Sequence, residues 1–454
     1  MNTQYGRFAP DTMLISMYPK HALIDGEGNP LPLNLRGASY LFHEWMHYIH
    51  NVSTVHGASC FLNVAAYWND FRFTMRDGIE SQGSEVLKDK HLDLLEKRQR
   101  MMAAGRGPAG KTLPSGVSVK SCRVISVCAG EIEDEIEHPS SVAIEVKRLI
   151  VRQSRRTKTY DLAFSATDLL ESIAYMLEER FLWKLNRVTP VKGSVDPYQT
   201  LFLIARHIAP RLSKSEILMC GIAALQSTTP VSQTLQLLKI SNAWKAKSIS
   251  VENSLRERVK THLESSRSTT DQWLKTVVAM FPSDGPLARA ALETIRYLQA
   301  NLEHRRNDPF FELELIDQLH SAGVAGFGAR MRELMLKHGI CSFEQIRPGS
   351  DEQIGRDVQF EFAVVADDPV KNDGRRIMFS TFEFAMAHLE SGGRIRRTLA
   401  LRPEKCHFYA SCTLSERSEH ASVCERSPWD SMKWNAGSAC WYREGVHQSR
   451  QLDC

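Results

Sequence analysis

Apolar residues along this chain recur mostly with the three-to-four-residue period of a helix, and the densest such stretch comes early. Tyr40, Leu41, Phe42, Trp45, Met46, Tyr48 and Ile49 carry no formal charge, which predicts a helix packed beneath other structure rather than displayed to water. Residues 58–71 continue the signal, with Phe61, Leu62, Val64, Ala65 and Trp68 at helical spacing. A further helix is predicted over residues 165–180, opened by a capping-box-like pair, Ser165 and Asp168. Strand signals are sparser: residues 118–128, 141–146 and 149–151, with an early strand over residues 13–17.

Beyond residue 197 the pattern becomes a succession of amphipathic helices separated by Pro, Ser and Thr: 198–209, 213–225, 231–247, 251–265, 270–281, 285–303 and a pair within 310–337. No fixed repeat period links them, so they predict a helical domain rather than a solenoid. Residues 358–365, 376–380 and the helix-like 382–389 suggest a small mixed segment. The expected fold class is α+β, predominantly helical, in three parts: a core over 1–190, a helical domain over 191–345, and a mixed segment with a cysteine-rich tail over 346–454.

Composition narrows the function classes. The 454 residues hold 57 basic and 53 acidic side chains, a net charge of +4, with 43% hydrophobic and 24% charged residues. That is an ordinary globular balance, and bulk charge does not imply a nucleic-acid partner. There is no basic-then-apolar leader and no run near the ~18 apolar residues of a membrane span, so the expectation is a soluble cytoplasmic protein without a membrane partner. Cys60, Cys122, Cys128, Cys220 and Cys341 are scattered among apolar neighbours, while five cysteines crowd the last fifty residues. In a cytosolic setting that pattern favours buried thiols plus a metal site over disulfides.

The chemistry begins inside the apolar helix, where His43-Glu44-Trp45-Met46-His47 forms His-Glu-x-x-His. Residues four apart share a helix face, so both imidazoles can direct a nitrogen at one cation while Glu44 reaches a water on it. In this the chain resembles the zincin metallopeptidases, whose motif histidines bind zinc and whose motif glutamate is the general base. A hydrolytic zinc usually takes a third protein ligand. The continuation found in metzincins is missing, because His50 stands where glycine is required and Ser53 where the last histidine is required. Seven residues of helix separate His50 from His43 by about 10 Å, which makes His50 a supporting or surface histidine.

Glu171 stands alone in the apolar part of the 165–180 helix, and a buried carboxylate needs a strong partner. The tract Leu170-Glu171-Ser172-Ile173-Ala174 is similar to the glutamate helix of gluzincins, which makes Glu171 the expected third ligand, with Glu178 and Asp168 as alternatives. The resemblance implies an intracellular zinc peptidase acting on a protein or peptide substrate by limited cleavage, with an oxyanion-stabilising Tyr or His. Tyr160 and Tyr175 lie nearby in sequence, and neither is preferred. The alternative is a zincin-like scaffold without turnover, binding a protein partner through the helical domain, in a setting such as stress or antiphage defence.

Two other motifs need weighing. Gly105 to Thr112 spells a phosphate loop, with Gly110, Lys111 and Thr112 at its end, but a charged amphipathic helix precedes it and Pro114 and Gly116 follow. A working phosphate loop needs a strand before and a helix after, so this predicts an irregular basic loop. In the tail, Cys406, Cys412, Cys424 and Cys440 alternate with Phe408, Tyr409, Trp429, Trp441 and Tyr442 in a segment too short for a good core. They predict a second, structural site for zinc or an iron–sulfur cluster, with Cys454 outside it.

Overall fold

The first two helices are shielded from water almost from end to end, and the rest of the chain is laid around them. The computed structural model describes residues 6–17, 35–76, 80–89, 92–93, 95, 122–133, 146–155, 158–186, 194–339, 342–346, 356–358, 369–390, 394–409, 412, 414–433 and 440–450. Strands β1 (Gly6–Ala9) and β2 (Leu14–Met17) precede helices α1 (Leu35–Ser53) and α2 (Val55–Phe71). The two-residue strands β3 (Met75–Arg76) and β4 (Glu80–Ser81) follow, then β5 (Arg123–Glu133), β6 (Val146–Arg155), β7 (Lys158–Phe164) and helix α3 (Ala166–Asn186). A helical run comes next: α4 (Thr200–Ile208), α5 (Lys214–Ala224), α6 (Pro230–Ala246), α7 (Val251–Ser265), α8 (Arg267–Met280), α9 (Gly285–Asn307) and α10 (Phe311–His338). After β8 (Ser342–Ile346), β9 (Arg356–Val358) and α11 (Pro369–Ala387), the tail holds α12 (Glu416–Glu419), α13 (Ala421–Arg426) and α14 (Trp441–Gln448).

The molecule is predominantly helical with small sheets, as the apolar periodicity predicts. One sheet has the order β1-β2-β8-β9: β2 pairs antiparallel with β1 (Ile15 opposite Phe8) and parallel with β8 (Ile15 opposite Phe343). A second sheet is the antiparallel meander β5-β6-β7. The expected strand tract at 149–151 lies within β6, as does Val146, while residues 141–145 of the other tract lie outside the described residues. Residues 376–380, expected in a mixed segment, lie inside α11, where Ile377, Phe382, Phe384 and Ala385 are buried together. A short apolar run carries too little periodicity to separate helix from strand. The phosphate-loop lookalike, Cys341 and Cys454 lie outside the described residues.

One hydrophobic core runs from Met13 to Val446 and takes side chains from all three expected parts of the chain. Phe42 of α1 stacks on Phe181 of α3 with centroids 4.7 Å apart. The corner between α1 and α2 depends on Gly57, because a Cβ there would lie 2.1 Å from the carbonyl oxygen of Asn51. Thr54 caps α2 by accepting the Gly57 N–H at 3.0 Å.

A buried ion pair fastens the far end of α1. Arg305 of α9 donates to the Ser53 carbonyl at 2.8 Å and the Ser53 hydroxyl at 2.6 Å, and it bridges to Glu312 of α10 at 2.6 and 3.1 Å. Burial alone would raise the Glu312 pKa, but the Arg305 charge outweighs it and holds the carboxyl at about 2. His50 joins this group, with Nε2 3.2 Å from Glu312 Oε1. It is fully buried rather than at the surface, and it is not in the His43–His47 cluster. Among the described residues no helix is long and apolar enough to cross a membrane.

Candidate metal centre

The site is made by two helices, each of which places its residues by simple periodicity. On α1, His43 and His47 sit one turn apart on the side facing α3, 6% and 7% exposed. On α3, Ser165 and Asp168 form the expected start: the Ser165 N–H and hydroxyl donate to Asp168 Oδ2 at 2.6 and 2.7 Å. Asp168 is thereby used as a cap. Ile173 and Ala174 are fully buried, and the small Ala174 side chain suits close approach of the two helices. Glu171 and Glu178, seven residues apart, then share one face of α3, and both reach His43.

Three ligand atoms converge. His43 Nε2 lies 3.3 Å from His47 Nε2 and 3.3 Å from Glu171 Oε2, and His47 Nε2 lies 3.5 Å from the same oxygen. A tetrahedral metal with bonds of about 2.0–2.1 Å requires donor separations of about 3.3–3.4 Å. The triangle therefore has the size of one face of a zinc tetrahedron. Among the described residues, no other group of three or more His, Cys, Asp or Glu brings its ligand atoms within 4.8 Å of one another.

No family model matches this chain, and no curated protein or solved structure matches it either. The site is therefore read from its own atoms.

Glu178, an alternative ligand from sequence, occupies a different post. Its Oε2 lies 3.1 Å from His43 Nδ1, and its Oε1 accepts a hydrogen bond from the Ser39 hydroxyl. A carboxylate on Nδ1 keeps the proton there and leaves the Nε2 lone pair for a cation. Burial would lower the His43 pKa, but Glu171 and Glu178 outweigh it and raise it well above the usual value. Glu171 moves the other way: burial would raise it, and the charges and hydrogen bonds of His47 and His43 hold it far below the carboxylate range. The anionic carboxylate and the two rings thus form a charge-complementary pocket for a cation.

Glu44, the next residue on α1, lies within electrostatic reach of His43, His47 and Glu171 and is 8% exposed. Burial raises its pKa to about 7, against the opposing pull of His43 and His47. Strand β1 lies against it: a Cβ on Gly6 would be 2.9 Å from both Cγ and Oε1 of Glu44. Phe8 of the same strand stacks on His47 at 6.3 Å between centroids.

Tyr198 completes the surroundings, with its ring 5.9 Å from His43 and 5.5 Å from Tyr175. Burial, then Glu171, Glu44 and Glu178 in turn, keep its hydroxyl protonated. Neither Tyr198 nor Gly6 was legible as a site residue, because both arrive by tertiary packing and stand at no fixed spacing from the motif. Of the tyrosines near in sequence, Tyr175 packs on Tyr198, and the side chain of Tyr160 lies outside the described residues.

The tail cysteines also meet, in a different manner. Cys406, Cys412, Cys424 and Cys440 are all free thiols and line one cavity together with Phe408, Tyr409 and Trp441. The Cys406 N–H donates to the Cys424 carbonyl at 2.8 Å, and the Cys412 N–H donates to the Phe408 carbonyl at 2.7 Å. Tyr442 stacks on His407, with Trp429 buried nearby in the same core. Cys60 and Cys220 lie apart from this group, near His56 and Ser241 respectively.

Proposed function

We propose that this chain is a zinc-dependent hydrolase that cleaves peptide bonds, with His43, His47 and Glu171 as metal ligands and Glu44 as general base. The observation that carries the reading is the ligand triangle of 3.3, 3.3 and 3.5 Å with a buried carboxylate on the adjoining residue. A zinc ion held there supplies Lewis acidity and lowers the pKa of a bound water to about 7. Glu44 takes the proton of the attacking water on its carboxylate and passes it to the leaving amine. The Ser39–Glu178 pair holds the His43 ring in place. Tyr198, kept protonated beside the three carboxylates, is the donor for charge developing on the carbonyl oxygen.

The peptide substrate follows from β1. It is the end strand of its sheet among the described residues and packs on Glu44 through Gly6. An extended peptide adding to that edge would run beside the base.

The test joins metal analysis to a peptide-library cleavage assay. Wild type should carry about one zinc at this site, His43→Ala should lose it, and Glu44→Gln should keep it while losing cleavage. Unchanged zinc in His43→Ala removes the reading. Wild-type cellular function in zinc-loaded Glu44→Gln would instead favour a partner-binding scaffold.

A further inference from the structure

The tail cavity is a second and separate site. Its four thiols come from three stretches: Cys406 and Cys412 from irregular chain, Cys424 from α13, and Cys440 from the residue preceding α14. Four free thiols gathered from 35 residues of chain line one cavity, an arrangement that suits a ligand shared among them. A single zinc with bonds of about 2.3 Å would draw all four sulfurs to about 3.8 Å from one another. No three of them lie within 4.8 Å, although the nitrogen and oxygen ligands on α1 and α3 meet that condition. A polynuclear cluster asks for this arrangement, because each thiolate binds a different iron at a different corner.

We propose that Cys406, Cys412, Cys424 and Cys440 hold a four-iron, four-sulfide cluster. Transfer of a preassembled cluster breaks four S–H bonds here and the four Fe–S bonds to the donor's thiolates, which take up the four protons, and forms four new Fe–S bonds, with no net electron transfer. The sulfurs have partners suited to thiolates: Cys406 accepts the Phe408 N–H, and Cys440 accepts the N–H groups of Tyr442 and Arg443 in the first turn of α14. Arg417 and Glu416, of opposite charge, both line the cavity. Phe408 and Trp441, edge to face at 5.4 Å, wall the cavity. The cluster would also fasten the 401–426 stretch to α14. Next to α14, Ser449 and Arg450 already bond to Trp68 and Arg72 of the α2 region.

The full chain, purified without oxygen, should contain about four iron and four acid-labile sulfide per molecule, with an absorption band at roughly 400 nm that dithionite bleaches. Cys424→Ser should lose most of that iron and keep the zinc at His43, while His43→Ala should do the reverse. Cys60→Ser, outside the cavity, should change neither. If the tail variants do not fold, the wild-type stoichiometry still decides. A colourless protein carrying a second zinc would overturn the proposal in favour of a mononuclear site. A tail that takes up neither metal after anaerobic incubation with equal amounts of ferrous and ferric salt and sulfide would overturn it outright.

Discussion

His43, His47 and Glu171 stand on helices of 19 and 21 residues with their ligand atoms 3.3–3.5 Å apart, whereas the four tail thiols stand on irregular chain and short helices around a cavity that no three of them close. The first group is brought together by forces unrelated to any metal. Periodicity on α1, apolar packing of α1 on α3, and the Arg305 pair at the end of α1 would hold it in the apo protein. The second has little regular structure to set its geometry, and under the cluster proposal its geometry would depend on what it binds. A preorganised site spends its metal affinity on chemistry, and a loosely framed one spends it on folding.

The sharpest way to break this contrast is to compare one residue from each region in a single assay. Glu44→Gln should lower turnover by about 10²–10⁴-fold at unchanged zinc. Cys412→Ser should leave the turnover of folded molecules unchanged while lowering thermal stability. Equal losses of turnover would show that the two regions work as one unit.

The support beneath α1 can be tested next. Glu312→Gln leaves the Arg305 charge buried beside Ser53 with no ionised partner, and should cost about 3–5 kcal/mol of folding stability in denaturant titrations. Its effect on tail iron should be small. A loss under about 1 kcal/mol would mean that the pair is a bystander and that apolar packing alone holds α1.

Glu178→Gln should weaken zinc binding by about 10–100-fold, measured by competition with a chromophoric chelator, because the carboxylate that sets the His43 tautomer becomes a neutral amide. Unaltered affinity would leave Glu178 a structural partner of Ser39 only.

The smallest effect is on pH dependence. The Glu312 carboxyl is held at about 2, below its ordinary 4.5. A depressed carboxyl adds stability that is complete above its unfolded value and is lost as pH falls through the folded one. Melting temperature should therefore be insensitive to this group above about pH 5 and should fall between about pH 4.5 and 2, with a shallower fall in Glu312→Gln.

Much of this architecture was legible before any coordinates. Helix 251–265 appears with the expected limits because Ser250 caps it by accepting the Asn253 N–H at 3.4 Å. The pair expected within 310–337 is one long element broken at Gly323, whose φ of 65° lies in the left-handed region that glycine tolerates. The convergence of His43, His47 and Glu171 was legible because each obeys local rules of helix periodicity and buried charge. What escaped depends on contacts between distant segments. Glu178, an alternative ligand from sequence, stands seven residues from Glu171 on one face of α3, and only the placement of the His43 ring separates their contacts. The pairing of β2 with β8 joins residues more than 300 positions apart, and no local signal announces it.

Gly6 carries a consequence for mutational tolerance. Strand positions usually accept any side chain that suits their face, yet here a single added methyl would fall 2.9 Å from both Cγ and Oε1 of Glu44. The absence of a side chain at position 6 therefore leaves the Glu44 carboxylate, the proposed base, its room. A saturation library at this codon should separate foldedness from activity: many substitutions should keep the protein soluble while displacing the Glu44 carboxylate and lowering the proposed cleavage.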